Sequence, residues 1–209
     1  VEKRFAYMIK NIIFDLGNVI LKDTPSIVLE NLKELDERNR LIIRRQFFDN
    51  WNELDLGNET LEEHFNNCKF NFPINKSVRE ILLNYYKYRP FNDEVIELLN
   101  NLKNNKYNIF ILSNNNKEAY KYLIKLPIFK SVDGWIMSCD YHIIKPNKEI
   151  YIKLFETFNI KPEECFFIDD TEENINMAKK LGIKGFTLDI KNQGLDKLIE
   201  KLKENNITL

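Results

Sequence analysis

Short apolar runs that end abruptly at polar side chains set the rhythm of this chain. Asn-Ile-Ile-Phe at residues 11–14 stops at Asp15, and Phe-Phe-Ile at 166–168 stops at Asp169-Asp170. Ile109-Phe110-Ile111-Leu112 stops at Ser113-Asn114-Asn115, and shorter runs occupy 134–138 and 185–188. Unbroken apolar stretches of this length predict strands buried on both faces of a parallel sheet. Between them the apolar positions change period. Val95, Leu98, Leu99 and Leu102 recur at i, i+3, i+4 and i+7, and Ile150, Leu154 and Phe158 follow Pro146 with helical spacing. Helices are also predicted at 117–125 and at about 173–181. Strand and helix alternate from Asp93 to Leu188, which predicts an α/β fold with a doubly wound parallel sheet.

The stretch from Lys22 to Arg89 breaks this alternation. It carries helical patterns only, at 27–35, 40–48 and 77–88, plus a helix opened by the capping-box sequence Thr60-Leu61-Glu62-Glu63. The simplest arrangement is a Rossmann-like core made of 8–21 and 90–209, with a small helical cap, 22–89, inserted after the first strand. Met8 opens the first strand in this reading, and residues 1–7, which lie outside the described residues, are expected to be either an upstream extension or a cloning remnant.

Composition narrows the function classes. A chain of 209 residues with 44% hydrophobic and 12% aromatic content can bury a full core. Its 31 basic and 32 acidic side chains give a net charge of -1, which argues against nonspecific nucleic-acid binding. Three scattered cysteines, Cys68, Cys139 and Cys165, form neither a disulfide framework nor a CxxC metal site. They are expected to pack as small hydrophobes. No run approaches the roughly 18 apolar residues that span a bilayer, so no membrane partner is expected and a reducing cytoplasm is the expected setting. A monomer and a homodimer both remain open.

In open α/β sheets ligands bind beyond the carboxyl ends of the strands. Asp15, Asp169 and Asp170 should therefore meet in one crevice. Three carboxylates together repel unless a proton or cation intervenes, and hard oxygen ligands favour Mg2+. Taken singly, each residue has a plainer role. Asp169-Asp170 could cap the helix that follows, Ser113 could cap the next one, and Lys145 could be a solvated loop charge. His64 and His142 are expected to be structural or surface residues. Tyr85, Tyr86, Tyr88, Phe91, Phe47, Phe48 and Trp51 are either core packing or a stacking surface for a sugar.

Taken in order, Asp15, Ser113, Lys145-Pro146 and Asp169-Asp170 resemble the four motifs of the haloacid dehalogenase-like (HAD) hydrolase superfamily. The first motif, Phe14-Asp15-Leu16-Gly17-Asn18-Val19, is most similar to the branch that includes the bacterial α-D-glucose-1-phosphate phosphatases. The resemblance runs from about Ile9 to Leu188, and the helical insertion falls where that superfamily carries a small helical cap.

The resemblance implies a phosphatase of a small phosphorylated metabolite, a sugar phosphate being favoured. Asp15 would be the nucleophile that forms an aspartyl-phosphate. Asp15, the Gly17 carbonyl, Asp169 and Asp170 would hold Mg2+, while Ser113, Asn114 and Lys145 would bind the phosphoryl group and offset its charge.

One position departs from the pattern. Phosphatases of this superfamily usually carry Asp two residues after the nucleophile, as general acid and base, and here that residue is Gly17. Such a group contributes typically 10²- to 10⁴-fold in rate. Its absence calls for a substrate with a good leaving group or for an acid supplied by Asp23, His64 or another cap residue. Aryl or anomeric phosphates are accordingly expected to outperform simple alkyl phosphates. Two alternatives stand beside the phosphatase: a metal-independent 2-haloacid dehalogenase using Asp15, and a noncatalytic binding protein on the same fold.

Overall fold

The computed structural model describes residues 8–209. Its sheet has five parallel strands: β1 (Asn11–Phe14), β2 (Asn108–Ser113), β3 (Gly134–Met137), β4 (Cys165–Asp169) and β5 (Lys184–Thr187). They lie in the order β3-β2-β1-β4-β5. Ile12 stands between Ile109 of β2 and Phe166 of β4. The chain leaves β1 toward β2 and β3, then returns to β4 on the other side. The order therefore reverses at β1, and a crevice opens beyond its carboxyl end.

Alternation along each strand explains the unbroken apolar runs. Ile13, Phe110, Leu112 and Phe167 face one side, where Ile150 and Leu154 of α10 (Lys148–Phe158) and Ile175 of α11 (Glu172–Lys180) cover them. Ile12, Phe14, Ile109, Ile111, Phe166 and Ile168 face the other. There Val95, Leu98, Leu99 and Leu102 of α6 (Asp93–Asn104) and Leu198 and Leu202 of α12 (Ile190–Glu204) close over them. With water excluded from both faces, every second residue must be apolar on each side, and each large side chain buried contributes about 1.5–3 kcal/mol. Gly134 is a glycine for lack of space: a Cβ there would stand 2.2 Å from Cε1 of Phe158.

Between β1 and α6 run five helices: α1 (Thr24–Asn31), α2 (Glu37–Ile43), α3 (Asn52–Asp55), α4 (Leu61–Asn67) and α5 (Lys76–Leu83). The segment enters and leaves at one point. Leu21 bridges Phe91 in antiparallel fashion, Lys22 N–H donates to the Pro90 carbonyl at 2.9 Å, and Asn92 N–H donates to that of Ile20 at 2.8 Å.

The capping box forms as read: Thr60 Oγ1 accepts from Glu63 N–H at 3.2 Å, and Glu63 Oε2 accepts from Thr60 N–H at 2.7 Å. The other boundaries shift. α1 begins at Thr24 rather than at residue 27, because Asp23 accepts from Ser26 N–H and Pro25 suits the first turn. The helix expected at 40–48 changes at Arg44 into a π-helical turn that buries Phe47 and Phe48. The one expected at 77–88 ends at Leu83 and continues as a 3₁₀ turn, Tyr85–Tyr88. α3, α12 and the short helices α7 (Lys117–Leu123), α8 (Ile128–Ser131) and α9 (Ser138–Tyr141) complete the set; of these only α7 was anticipated.

Candidate active site

Asp15 directly follows β1, Ser113 ends β2, and Asp169 ends β4, so the sheet register brings all three to one edge. Asp15 N–H donates to the Ile168 carbonyl at 2.9 Å, which fixes the end of β1 against β4. Oxygens of Asp15, Asp169 and Asp170 lie within 4.8 Å of one another. Lys145 enters from the loop before α10. Its Nζ stands 2.9 Å from Oδ1 of Asp15 and 2.6 Å from Oδ2 of Asp169.

Asn114 holds the lysine in place. Its Oδ1 accepts from Lys145 N–H at 2.8 Å, and its Nδ2 donates to the Lys145 carbonyl at 3.1 Å. Both ends of the Asn114 amide are thus engaged by the backbone that carries Lys145. Ser113 is buried, and its hydroxyl donates to its neighbour's carbonyl at 3.3 Å.

The tandem carboxylates differ in setting. Asp169 is fully buried. Its Oδ1 accepts from Thr171 N–H at 2.8 Å and from Asn174 Nδ2 at 2.9 Å, and its Oδ2 accepts from Lys145. Asp170 is half-buried, and its Oδ2 accepts from Asn18 Nδ2 at 2.8 Å. Asn18 adopts a φ of 54°, a left-handed conformation that Asn tolerates better than most side chains.

Charges in this crevice are strongly perturbed. Burial pushes the Asp15 carboxyl up to about 7; Lys145 opposes the shift, while Asp169 and Asp170 add to it. Burial also raises Asp170, against the pull of Asn18. Burial works against the Lys145 ammonium, but Asp15 and Asp169 more than offset it and hold the lysine charged. An all-oxygen triangle of carboxylates of this size, under such repulsion, suits a small hard divalent cation.

Sequence reading missed several neighbours. Arg89, where the inserted segment returns to the core, donates from Nε to Thr24 Oγ1 at 2.8 Å. One of its terminal nitrogens lies 3.8 Å from where a Cβ on Gly17 would stand. Asp55, at the end of α3, is close enough to Arg89, Asp15 and Lys145 for each to affect its charge. Neither residue has a periodic or motif signal; only the fold brings them here. Asn174, the third residue of α11, likewise carries no motif signal.

The two acids named as replacements for Gly17 are otherwise engaged. His64 is buried, with Nδ1 2.6 Å from Oε1 of Glu59 and Nε2 2.9 Å from the Phe47 carbonyl. Asp23 caps α1 and lines a cavity of about 1280 Å³ that opens beside Asn18 and Asp170. Aromatics of the inserted segment pack around Tyr85: Trp51 and Phe48 approach its ring at 4.9 and 6.1 Å, and Tyr85 itself is fully buried. His142 sits on the surface of α9's end, 3.3 Å from Oδ1 of Asn58, and Cys139 and Cys165 are buried.

A family model for haloacid dehalogenase-like hydrolases matches residues 9–182. The chain belongs to that family. Among HAD-like relatives, bifunctional epoxide hydrolase 2 of Mus musculus is 27% identical over 141 residues, 65% of this chain and 25% of that protein. The chain thus spans about a quarter of that relative's length. The (S)-2-haloacid dehalogenase 4A of Burkholderia cepacia is 28% identical over 57% of this chain and 51% of its own length. D-ribitol-5-phosphate phosphatase of Bacteroides thetaiotaomicron is 24% identical over 86% of this chain and 91% of that protein. A HAD family enzyme of Bacteroides thetaiotaomicron, solved as a mutant with magnesium and inorganic phosphate, superposes with a TM-score of 0.70. That match is at 24% identity and covers 88% of this chain and 96% of that one. The α/β fold and membership among HAD-like hydrolases agree with the motif reading. Among the described residues, no helix is long and apolar enough to cross a membrane.

Proposed function

We propose that this HAD-like hydrolase is a magnesium-dependent phosphatase of a small phosphorylated metabolite, a sugar phosphate by preference, with residues 22–89 acting as the cap over the site. The observation that carries this reading is the meeting of Asp15, Asp169 and Asp170 around Lys145. The phosphatase relative, matched along nearly its full length, and the magnesium- and phosphate-bound structural neighbour support it.

Asp15 is the nucleophile. Its carboxylate attacks phosphorus, the ester P–O bond breaks, and water then displaces the aspartate from the aspartyl-phosphate. Lys145 keeps Asp15 ionised and offsets the charge of the incoming phosphate. Asn114 fixes the height of Lys145, and Ser113 offers its hydroxyl to a phosphoryl oxygen. Asp15, the Gly17 carbonyl, Asp169 and Asp170 would hold Mg2+, which when bound polarises the phosphoryl group and shields Asp15 from its charge. Asp170 has the more open oxygens of the tandem pair and would bind the ion directly, while Asp169 would add its oxygen to the set and also orients Lys145.

Inorganic phosphate release from a panel of sugar, alkyl and aryl phosphates tests the reading, run with magnesium and with chelator and on Asp15→Asn beside the parent. Activity requiring both magnesium and Asp15 is expected. The similarity to a haloacid dehalogenase favours a second reading, halide displacement by Asp15. It predicts chloride release from 2-chloropropionate that chelator leaves unchanged. Two further acids, one buried and one half-buried, beside an anionic substrate argue against it.

A further inference from the structure

We propose that Asp55, on the short helix α3 of the inserted segment, is the general acid and base that replaces the carboxylate absent at Gly17. The inference rests on the phosphatase reading above.

Displacement at phosphorus is in line, so the leaving oxygen must face away from Asp15, and the water of the second step must arrive from that same side. Asp15 belongs to the sheet; the opposite side belongs to the inserted helices. A single proton-transfer group there serves both steps, and α3 brings a carboxylate to it.

Several contacts fix that position. The Asp55 carbonyl accepts from Ser138 Oγ at 2.5 Å, and the same Ser138 Oγ accepts from Asn115 N–H at 2.9 Å. Asp55 is thereby tied to the loops beyond β3 and β2, two residues from Ser113. Two turns beyond it reinforce the docking. Lys117 Nζ donates to the Gly57 carbonyl at 3.0 Å, and Leu61 N–H donates to Glu118 Oε1 at 3.3 Å. Gly57 has a φ of 71°, and a Cβ on it would stand 2.8 Å from the Cys139 carbonyl, so the turn fits against the core only as glycine. The backbone of Asp55 carries this anchoring, which leaves its carboxyl for chemistry.

Arg89 completes the arrangement. Its guanidinium acts on both Asp15 and Asp55, and it stands at the space vacated at Gly17. A carboxyl that alternates between donating and accepting a proton needs an affinity near neutrality. Burial pushes Asp55 up to about 7, with Arg89 and Lys145 drawing it down and Asp15 pushing it further up. Tyr85 and Cys139 also lie close enough for its charge to act on them.

The balance is simple. In the first step the P–O bond to the leaving group breaks and the departing alkoxide takes the Asp55 proton, giving an alcohol and the Asp55 carboxylate. In the second, that carboxylate removes a proton from water as the water oxygen attacks phosphorus. The bond to Asp15 breaks, phosphate leaves, and Asp55 is again protonated.

The test compares the parent, Asp55→Asn and Asp55→Asn/Gly17→Asp on an alkyl phosphate and on an aryl phosphate with an acidic phenol. A Cβ on Gly17 meets nothing nearer than 3.8 Å, so the second substitution is accommodated. Asp55→Asn should lose about 10²- to 10⁴-fold on the alkyl ester. On the aryl ester, whose phenol departs without a proton, it should release one rapid equivalent of phenol and then turn over slowly. Gly17→Asp should restore alkyl turnover. A parent dependent on magnesium and Asp15, with Asp55→Asn within about threefold of it on the alkyl ester, overturns the role of Asp55 alone. So does an equal loss on both esters with no phenol burst and no rescue, which would mark Asp55 as structural. A parent that releases no phosphate from any ester overturns the phosphatase reading, and this inference with it.

Discussion

Asn114 and Lys145 hold each other through a reciprocal pair of hydrogen bonds, side-chain amide to backbone, at 2.8 and 3.1 Å. The side chain at the end of one strand thus sets the height of a lysine from a loop 31 residues away. Replacing Asn114 with Ala leaves a Lys145 N–H without its partner, at a cost of about 1–3 kcal/mol. A domain of this size should lose roughly 2–4 °C in Tm per kcal/mol. Phosphatase kcat should fall by at least about tenfold, because a displaced lysine no longer neutralises Asp15. Calorimetry and steady-state kinetics on the same preparation check both.

Lys145→Met removes the cation between two buried carboxylates. Stability without metal should fall by on the order of 3–5 kcal/mol, since the acids are left uncompensated. Magnesium should recover part of that loss, so its effect on Tm should be larger in the variant than in the parent. Thermal melts with magnesium and with chelator measure the difference.

Asp170→Asn should act in the opposite sense. Its carboxyl is raised in the folded state, chiefly by burial, so the fold binds that proton more tightly than the unfolded chain does. The linked stability is present below the carboxylate's ordinary value and is lost as pH rises through the elevated one. The parent without metal should therefore weaken as pH rises above the ordinary carboxylate range. Asn at 170 should flatten part of that slope, with Asp15 and Asp55 contributing the rest, and should raise the metal-free Tm at pH 7.5. It should also abolish the stabilisation by magnesium. Melts across this pH range in chelator, repeated in magnesium, decide the matter.

Gly134→Ala tests the packing of the sheet. The added methyl falls on the Phe158 ring, and overpacking of this kind costs about 1–3 kcal/mol. A second change, Phe158→Leu, should recover most of the loss in urea unfolding while leaving magnesium binding unchanged.

The central strands were legible because burial on both faces leaves little choice of residue: β1, β2 and β4 follow from runs such as 109–112, and the acids at the ends of β1 and β4 stand out against them, whereas β5 is only partly buried and is marked by a shorter run. The inserted segment was less so. α3 spans four residues, too few to show a period, and Asp55 at its end looks like any exposed acid in the sequence. Arg89 is the last residue of the inserted segment, before Pro90, and carries no pattern of its own. Their place beside Asp15 follows from three-dimensional docking through Ser138 and Gly57, which has no local signature. α1 starts before the residue that apolar spacing predicts for a different reason: the Asp23-Thr24-Pro25 capping signal sets the helix start.

The pairing of Leu21 with Phe91 brings the two ends of the inserted helices together as neighbours. Residues can be added or removed between them without altering the distance the chain must cover to rejoin the sheet. The inserted segment can therefore change in length or shape without disturbing the strands below, whose ends carry Asp15, Ser113 and Asp169.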